Sequence, residues 1–459
     1  MKKSLVLGAA ALASLVMAAP QAEAGEVKMG GYYMFRMQDA NSTVAKDASG
    51  VDNIRGWSHR VALNMDFIQD KTTHAHMVVR ALDSTTVQGA DESIVGSSAG
   101  GVGFSSNGAA AGGHGANDWN IRKAWLETEA WGVGLKVGNM PIALNDNILV
   151  NNDDTGFGAI MLSKTFGDVT AVLANVRINE DAISGASANA GAGMGADDDD
   201  IDLYVLALLG KVGAVNYGVT GAYLDSGKDS DLTATAMGVS GTRAHDGWLA
   251  LTLNTVLGGV DMTGTAIYET GMNGAPNTAG ALRQLKDSGV LAALRLKGDL
   301  PGMAKGSGWN AYGMYASENF TPITSRNPVW SKTWDMAGPN AQDLLRNWAT
   351  AAGVTPESNV WGVGAGLTFV PAANWTINPM IDYVKVVEDD VNNDRLLDRS
   401  TNSAWGGGVE VGTMLNPATR LAVTGLYVSP NDKGAGANVN TTSTIDKMHV
   451  IEATLKMTF

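Results

Sequence analysis

The sequence predicts an all-β fold: a transmembrane antiparallel β-barrel of 18 strands. Three observations point there: period-two alternation of apolar and polar residues, connections that are alternately short and long, and an export segment at the amino end.

Composition narrows the field first. The chain has 459 residues, 45% hydrophobic and 17% charged, with 57 glycines and no cysteine. A glycine share near twice the usual ~7% and so few charges sit badly with an ordinary cytosolic enzyme. Without cysteine there is no disulfide scaffold, zinc ribbon, iron–sulfur site or thiol nucleophile. A net charge of −14 argues against nonspecific nucleic-acid binding, which Lys and Arg drive by neutralising phosphates.

Residues 1–24 read as a cleaved secretory signal peptide. Lys2 and Lys3 form a basic start, Leu5 to Ala19 are apolar or small, and Ala22-Glu23-Ala24 is an A-x-A cleavage site. The stretch is shorter than the ~20 residues that span a bilayer as a helix. The remaining domain is 25–459.

The first strand places Val27, Met29, Gly31, Tyr33, Phe35 and Met37 on one face and Lys28, Gly30, Tyr32, Met34, Arg36 and Gln38 on the other. The second sets Trp57, Val61, Leu63, Met65 and Phe67 against Ser58, Arg60, Asn64 and Asp66. The longest unbroken apolar run after the export segment, from Leu203 to Leu209, is far too short for a membrane helix.

Short connections fall at 69–73, 131–132, 166–168, 210–214, 257–261, 298–308, 370–374 and 415–419. Between them lie long polar stretches at 39–56, 84–118, 141–158, 180–200, 225–246, 271–288, 319–359, 388–402 and 429–445. Strict alternation is what tight periplasmic turns and long external loops produce, and it yields nine hairpins. Sixteen strands remain the alternative if the pair around 201–223 folds otherwise. At either count the lumen is wide enough to hold water.

Trp57, Trp119, Trp131, Trp248, Trp309, Trp361, Trp375 and Trp405 lie at or near strand ends, where aromatic girdles meet lipid headgroups. The last strand alternates Ile451, Ala453, Leu455, Met457 and Phe459 with Glu452, Thr454, Lys456 and Thr458, and the chain stops on the aromatic. On the export segment, barrel pattern, third long loop and terminal Phe459, the chain resembles bacterial outer-membrane homotrimeric porins, general diffusion channels of the long-chain type seen in sulfate-reducing bacteria. The resemblance implies a Gram-negative outer-membrane location, association with lipid and lipopolysaccharide, a homotrimer, and recognition of Phe459 by the barrel assembly machinery.

It also implies that the loop after the fifth strand enters the lumen with its acids facing a ladder of arginines. In 141–158 those acids are Asp146, Asp153 and Asp154. Arg36, Arg60, Arg80 and Arg122 take the lumen parity of strands one to four; Arg122 and Lys123 are adjacent, so either can point inward. Arg177, Arg295, Lys297, Arg420 and Lys456 are further inward candidates. Such a constriction acts electrostatically, orienting dipolar solutes across a narrow neck. At ~80 dielectric a pair is worth about 1 kcal/mol at ~4 Å, so solutes are biased and then released. The alternative leaves the arginines satisfying wall carboxylates and the loop outside as a solvated flap.

Signals for other functions are weak. Gly96-Ser97-Ser98-Ala99-Gly100 matches G-x-S-x-G but lies in a Gly/Ser/Ala-rich loop, not on a strand-to-helix elbow. His74 and His76 share a strand face without a defensible third metal ligand. Asp390, Asn392 and Asp394 start like a calcium loop, yet Arg395 and Thr401 replace its glycine and glutamate. Asn340, Leu344, Leu345, Trp348 and Gly353 outline a short amphipathic helix over the barrel mouth or against a neighbouring subunit. No enzyme activity, metal or cofactor is expected. The function expected is passive diffusion of small hydrophilic solutes and ions; the rivals are a substrate-specific channel for organic anions or sugars, a barrel-anchored hydrolase using Ser98, and a structural surface protein.

Overall fold

The computed structural model describes residues 25–41, 53–87, 120–151, 156–179, 201–226, 244–270, 288–317, 320, 360–386, 403–430 and 448–459. The export segment, Trp119, Asp153, Asp154, Ser98, the Asp390 motif and the Asn340–Gly353 segment lie outside these residues.

Twenty strands occur among the described residues: β1 (Glu26–Asn41), β2 (Asn53–Ile68), β3 (His74–Val87), β4 (Asn120–Ala130), β5 (Val133–Met140), β6 (Ala143–Leu144), β7 (Val150–Asn151), β8 (Phe157–Phe166), β9 (Val169–Asn179) and β10 (Ile201–Val212). They continue with β11 (Val215–Ser226), β12 (Ala244–Leu257), β13 (Val260–Glu269), β14 (Gly289–Asp299), β15 (Gly308–Ala316), β16 (Val360–Ala372), β17 (Trp375–Val386), β18 (Ser403–Asn416), β19 (Thr419–Pro430) and β20 (Met448–Thr458).

All but β6 and β7 belong to one 18-stranded antiparallel sheet. Each strand pairs with its chain neighbour, β5 reaching β8 past the separate β6–β7 ladder. β1 also pairs with β20, from Tyr32↔Thr458 to Asn41↔His449, so the sheet closes. Closure removes the open edge that hydrocarbon cannot hydrogen-bond. β10 and β11 pair continuously from Ile201↔Ser226 to Val212↔Val215, which settles the count at eighteen against sixteen.

All eight short connections predicted from sequence join adjacent strands. At 131–132, Trp131 (φ 55°) and Gly132 (φ 69°) both take left-handed backbone, as a two-residue turn matched to strand twist requires. At 69–73 the Asp70 carboxylate accepts hydrogen bonds from the Thr72 and Thr73 amides at 2.7 and 2.8 Å and from the Thr72 hydroxyl at 2.8 Å. Those donors, the Thr72 amide foremost, hold its pKa below the usual carboxylate value.

The outward face is apolar along every arc. Leu206, Leu208, Leu249, Leu251, Leu253, Leu294, Ile381 and Ile451 are all exposed, an arrangement stable only against lipid. Aromatics lie on the outward parity near both ends: Trp361, Tyr383 and Trp405 form a tilted row with centroids 5.2 and 4.5 Å apart, and Trp375 stands at the short-turn end. Trp248 breaks the expected girdle. It shares parity with Asp246 and Ala250, points inward and is 4% exposed, because position along a strand does not choose the face. Phe459 seals the closure: its amide and carbonyl exchange hydrogen bonds with Gly31 at 3.0 and 2.9 Å.

Candidate functional site

The interior is built from a loop and two unlike walls. Between β5 and β8 the chain turns inward as the β6–β7 ladder, Ala143↔Asn151 and Leu144↔Val150. Its tip is unusual. Asn145, Asp146 and Asn147 all take left-handed backbone (φ 53°, 59° and 64°), which only Asn, Asp and Gly adopt at low cost. The Ile148 amide donates to the Asn145 carbonyl at 3.2 Å and the Leu149 amide to the Leu144 carbonyl at 3.3 Å, closing the turn.

This tip fans its side chains onto one arc of the barrel. The Asn145 amide donates to Thr220 Oγ1 on β11 at 3.4 Å and to Thr252 Oγ1 on β12 at 3.3 Å. Asp146 pairs with Arg295 on β14 at 3.0 Å. Ile142, Ile148, Leu149 and Val150 are buried in a cluster with Val176, Leu203, Val205, Trp248, Ile267 and Leu291 of the wall. Apolar burial therefore holds the loop inside, and polar contacts fix its azimuth.

The other arc is charged. Arg36, Arg60 and Arg80 occupy interior positions of β1, β2 and β3 and are 2%, 6% and 7% exposed. Arg36 lies 3.6 Å from Glu452 of β20, itself buried and hydrogen-bonded to Thr454 at 2.9 Å. Pairing of β3 with β4 slips between Val78↔Lys123 and Val79↔Ile121, which makes Arg122 the extra residue of a β-bulge. Adjacent Arg122 and Lys123 in the sequence thus mark a bulge, not an uncertain face. On β18 and β19, Arg420 reaches Glu410 at 2.6 Å and Asn378 donates to the same oxygen at 3.0 Å.

Two interior glycines make room for these contacts. A Cβ at Gly364 would meet Asp382 and Tyr312, whose hydroxyl donates to Asp382 at 2.9 Å across the gap. One at Gly412 would meet Arg420 on its way to Glu410.

Near the short-turn end, His76 bonds Asp66 at 2.7 Å, stacks on Trp125 with centroids 4.6 Å apart, and lies 3.8 Å from Glu127. Glu127 also accepts from Trp125 at 2.8 Å and Lys136 at 2.7 Å. Among the described residues no group of three or more His, Asp or Glu side chains is arranged to hold a metal ion.

Arg295, Lys297, Arg420 and Lys456 carry interior parity, and the Lys456 ammonium lies 4.6 Å from the Tyr32 ring centre. Arg177 does not. On β9 it alternates with the buried interior residues Ala174 and Val176, takes the outward parity, and pairs with Asp202 of β10 at 3.3 Å. Sequence reasoning missed the partner of Asp146, the wall contacts of Asn145 and the apolar seat of the loop. The run Ile148-Leu149-Val150 inside a polar loop was the available signal for that seat.

No protein-family model and no curated protein matches the sequence. Solved structures do match. Pseudomonas aeruginosa OccK2 (OpdF) superposes with a TM-score of 0.53 at 11% identity, covering 95% of this chain and 98% of that one. Acinetobacter baumannii OccAB2 gives 0.52 at 10%, with 95% and 98% covered. OccK2 in complex with glucuronate gives 0.51 at 12%, with 95% and 96% covered. At such identities the likeness establishes the fold: a closed barrel whose architecture these structures share over nearly their whole length.

Proposed function

We propose that the protein is a passive channel of the Gram-negative outer membrane, through which small hydrophilic solutes and ions diffuse. The observation that carries this reading is a closed 18-stranded barrel that is apolar outside and bears a wall of charged side chains inside. Export through the signal peptide 1–24, a homotrimer, contact with lipopolysaccharide and assembly through Phe459 belong to the same reading, as does the absence of a catalytic role. The loop carrying Asp146 narrows the lumen, with Asp153 and Asp154 assigned to it by sequence; Arg36, Arg60, Arg80 and Arg122 supply the basic side of the neck. Opposed fixed charges there bias ions without holding them.

Planar-bilayer recordings test this. Stepwise ohmic openings are expected, and silence from folded protein would remove the channel reading. Asp153→Asn combined with Asp154→Asn should move the reversal potential towards anions. An unchanged value would place those residues outside the conduction path. A second reading, selective passage of organic anions, is favoured by the guanidinium wall and by glucuronate bound to OccK2. Swelling of liposomes in graded sugars and organic acids separates the two.

A further inference from the structure

Below the loop, towards the short-turn end, the apolar arc encloses a recess of about 400 Å³. Its two flanks differ in kind. Val205, Ala207 and Leu209 of β10, with Val172 and Ala174 of β9, make one side apolar. Asn216 and Thr220 of β11 and Thr252 and Asn254 of β12 line the other with hydroxyls and amides. Leu209 takes interior parity and is 46% exposed, so among the described residues the apolar flank carries uncovered hydrocarbon surface. The charged groups at the rim, Asp146 and Arg295, neutralise each other at 3.0 Å.

We propose that this recess binds small neutral amphiphiles, compounds with a short hydrocarbon chain along one edge and hydroxyl or amide groups along the other. The hydrocarbon covers Ala207 and Leu209, which removes apolar area from water. The hydroxyls meet the side chains of Asn216, Thr252 and Asn254 on the polar flank. A charged ligand is disfavoured, because it must compete with the ion pair at the rim and leave one member of it bare. The lumen wall thereby retards one class of permeant rather than passing all polar solutes alike.

The proposal rests on the channel reading, and its test keeps the two apart. Single-channel current through the full-length protein is recorded with increasing 1,2-hexanediol, and with glycerol as the control polyol lacking the hydrocarbon chain. Saturable current reduction by 1,2-hexanediol in the millimolar range, with none by glycerol, is expected. Ala207→Phe fills the recess and should weaken the effect about tenfold or more. Thr252→Val, nearly equal in size, removes a hydroxyl of the polar flank together with the acceptor of the Asn145 amide and should weaken it about threefold. Equal reduction in wild type and both variants, or equal potency of glycerol, overturns the proposal. A silent protein overturns the channel reading instead; saturation-transfer NMR of 1,2-hexanediol on nanodisc-embedded wild type and Ala207→Phe then decides the recess alone, by signal in the first and loss in the second.

Discussion

Strands β9–β14 and strands β17–β20 with β1–β5 follow one rule outside and opposite rules inside. Both present aliphatic side chains to lipid. Inward, the first arc presents Val176, Leu203, Val205, Trp248, Ala250, Ile267 and Leu291 to an apolar loop, with the charged Asp246, Glu269, Arg295 and Lys297 among them, whereas the second sets Arg36, Arg60, Arg80, Glu410, Arg420 and Glu452 between apolar Met380, Val384, Leu426 and Val450. The difference shows what each arc contributes. An apolar inner wall is stable only when something covers it, so it dictates where the loop sits. A charged inner wall needs counter-charges and glycine clearances, and it leaves the remaining cross-section polar. The narrowing and the chemistry of the lumen therefore come from opposite sides of one barrel.

The largest expected effect lies on the charged side. Arg36→Met leaves the Glu452 carboxylate buried without the guanidinium at 3.6 Å. Removing one partner of a buried pair costs about 3–5 kcal/mol, whereas removing both is often neutral. The single variant should lower the urea midpoint of barrel unfolding strongly, and Arg36→Met with Glu452→Met should recover most of the loss. If the double variant is no better than the single, the two arcs do not differ in the way described.

A smaller effect is expected from Leu149→Ala on the apolar side. Leu149 is fully buried, and truncation of such a residue costs about 2–4 kcal/mol where it can be felt. Here the loss falls on the loop, because β6 and β7 take no part in the closed sheet. Single-channel conductance should rise while the unfolding midpoint of the barrel stays near wild type. A drop in that midpoint with unchanged conductance would mean the loop braces the wall instead of narrowing the lumen.

This asymmetry also explains what the sequence revealed and what it hid. Strand number and turns were legible because period-two alternation and Gly-bearing turns are local, and the eight short connections all recur in the structure. The inner face of β10 was legible only in part. The run from Leu203 to Leu209 is apolar on both faces, the mark of a strand covered on each side, and its length, too short for a membrane helix, does not by itself reveal what covers the inner face. The ion pair of Asp146 with Arg295 spans 149 positions in sequence and depends on three consecutive left-handed residues, which no periodicity encodes. Trp248 and Arg177 share one lesson: neither nearness to a strand end nor a charged side chain chooses the face, which the register of the neighbouring strands decides.

The subtlest effect concerns the ion pair of Asp146 with Arg295 on the loop-bearing arc. Asp146→Asn removes a lumen carboxylate and leaves Arg295 charged, so the reversal potential should move towards anions by less than the Asp153→Asn, Asp154→Asn pair produces. Arg295 is 43% exposed, so solvent screening keeps the stability change below about 1 kcal/mol. Arg295→Gln should shift the potential the opposite way, and the double variant should return it close to wild type, since the pair is nearly neutral as a unit. Shifts of the same sign from both single variants would mean that Asp146 and Arg295 act on permeating ions separately, and that the apolar arc contributes to selectivity after all.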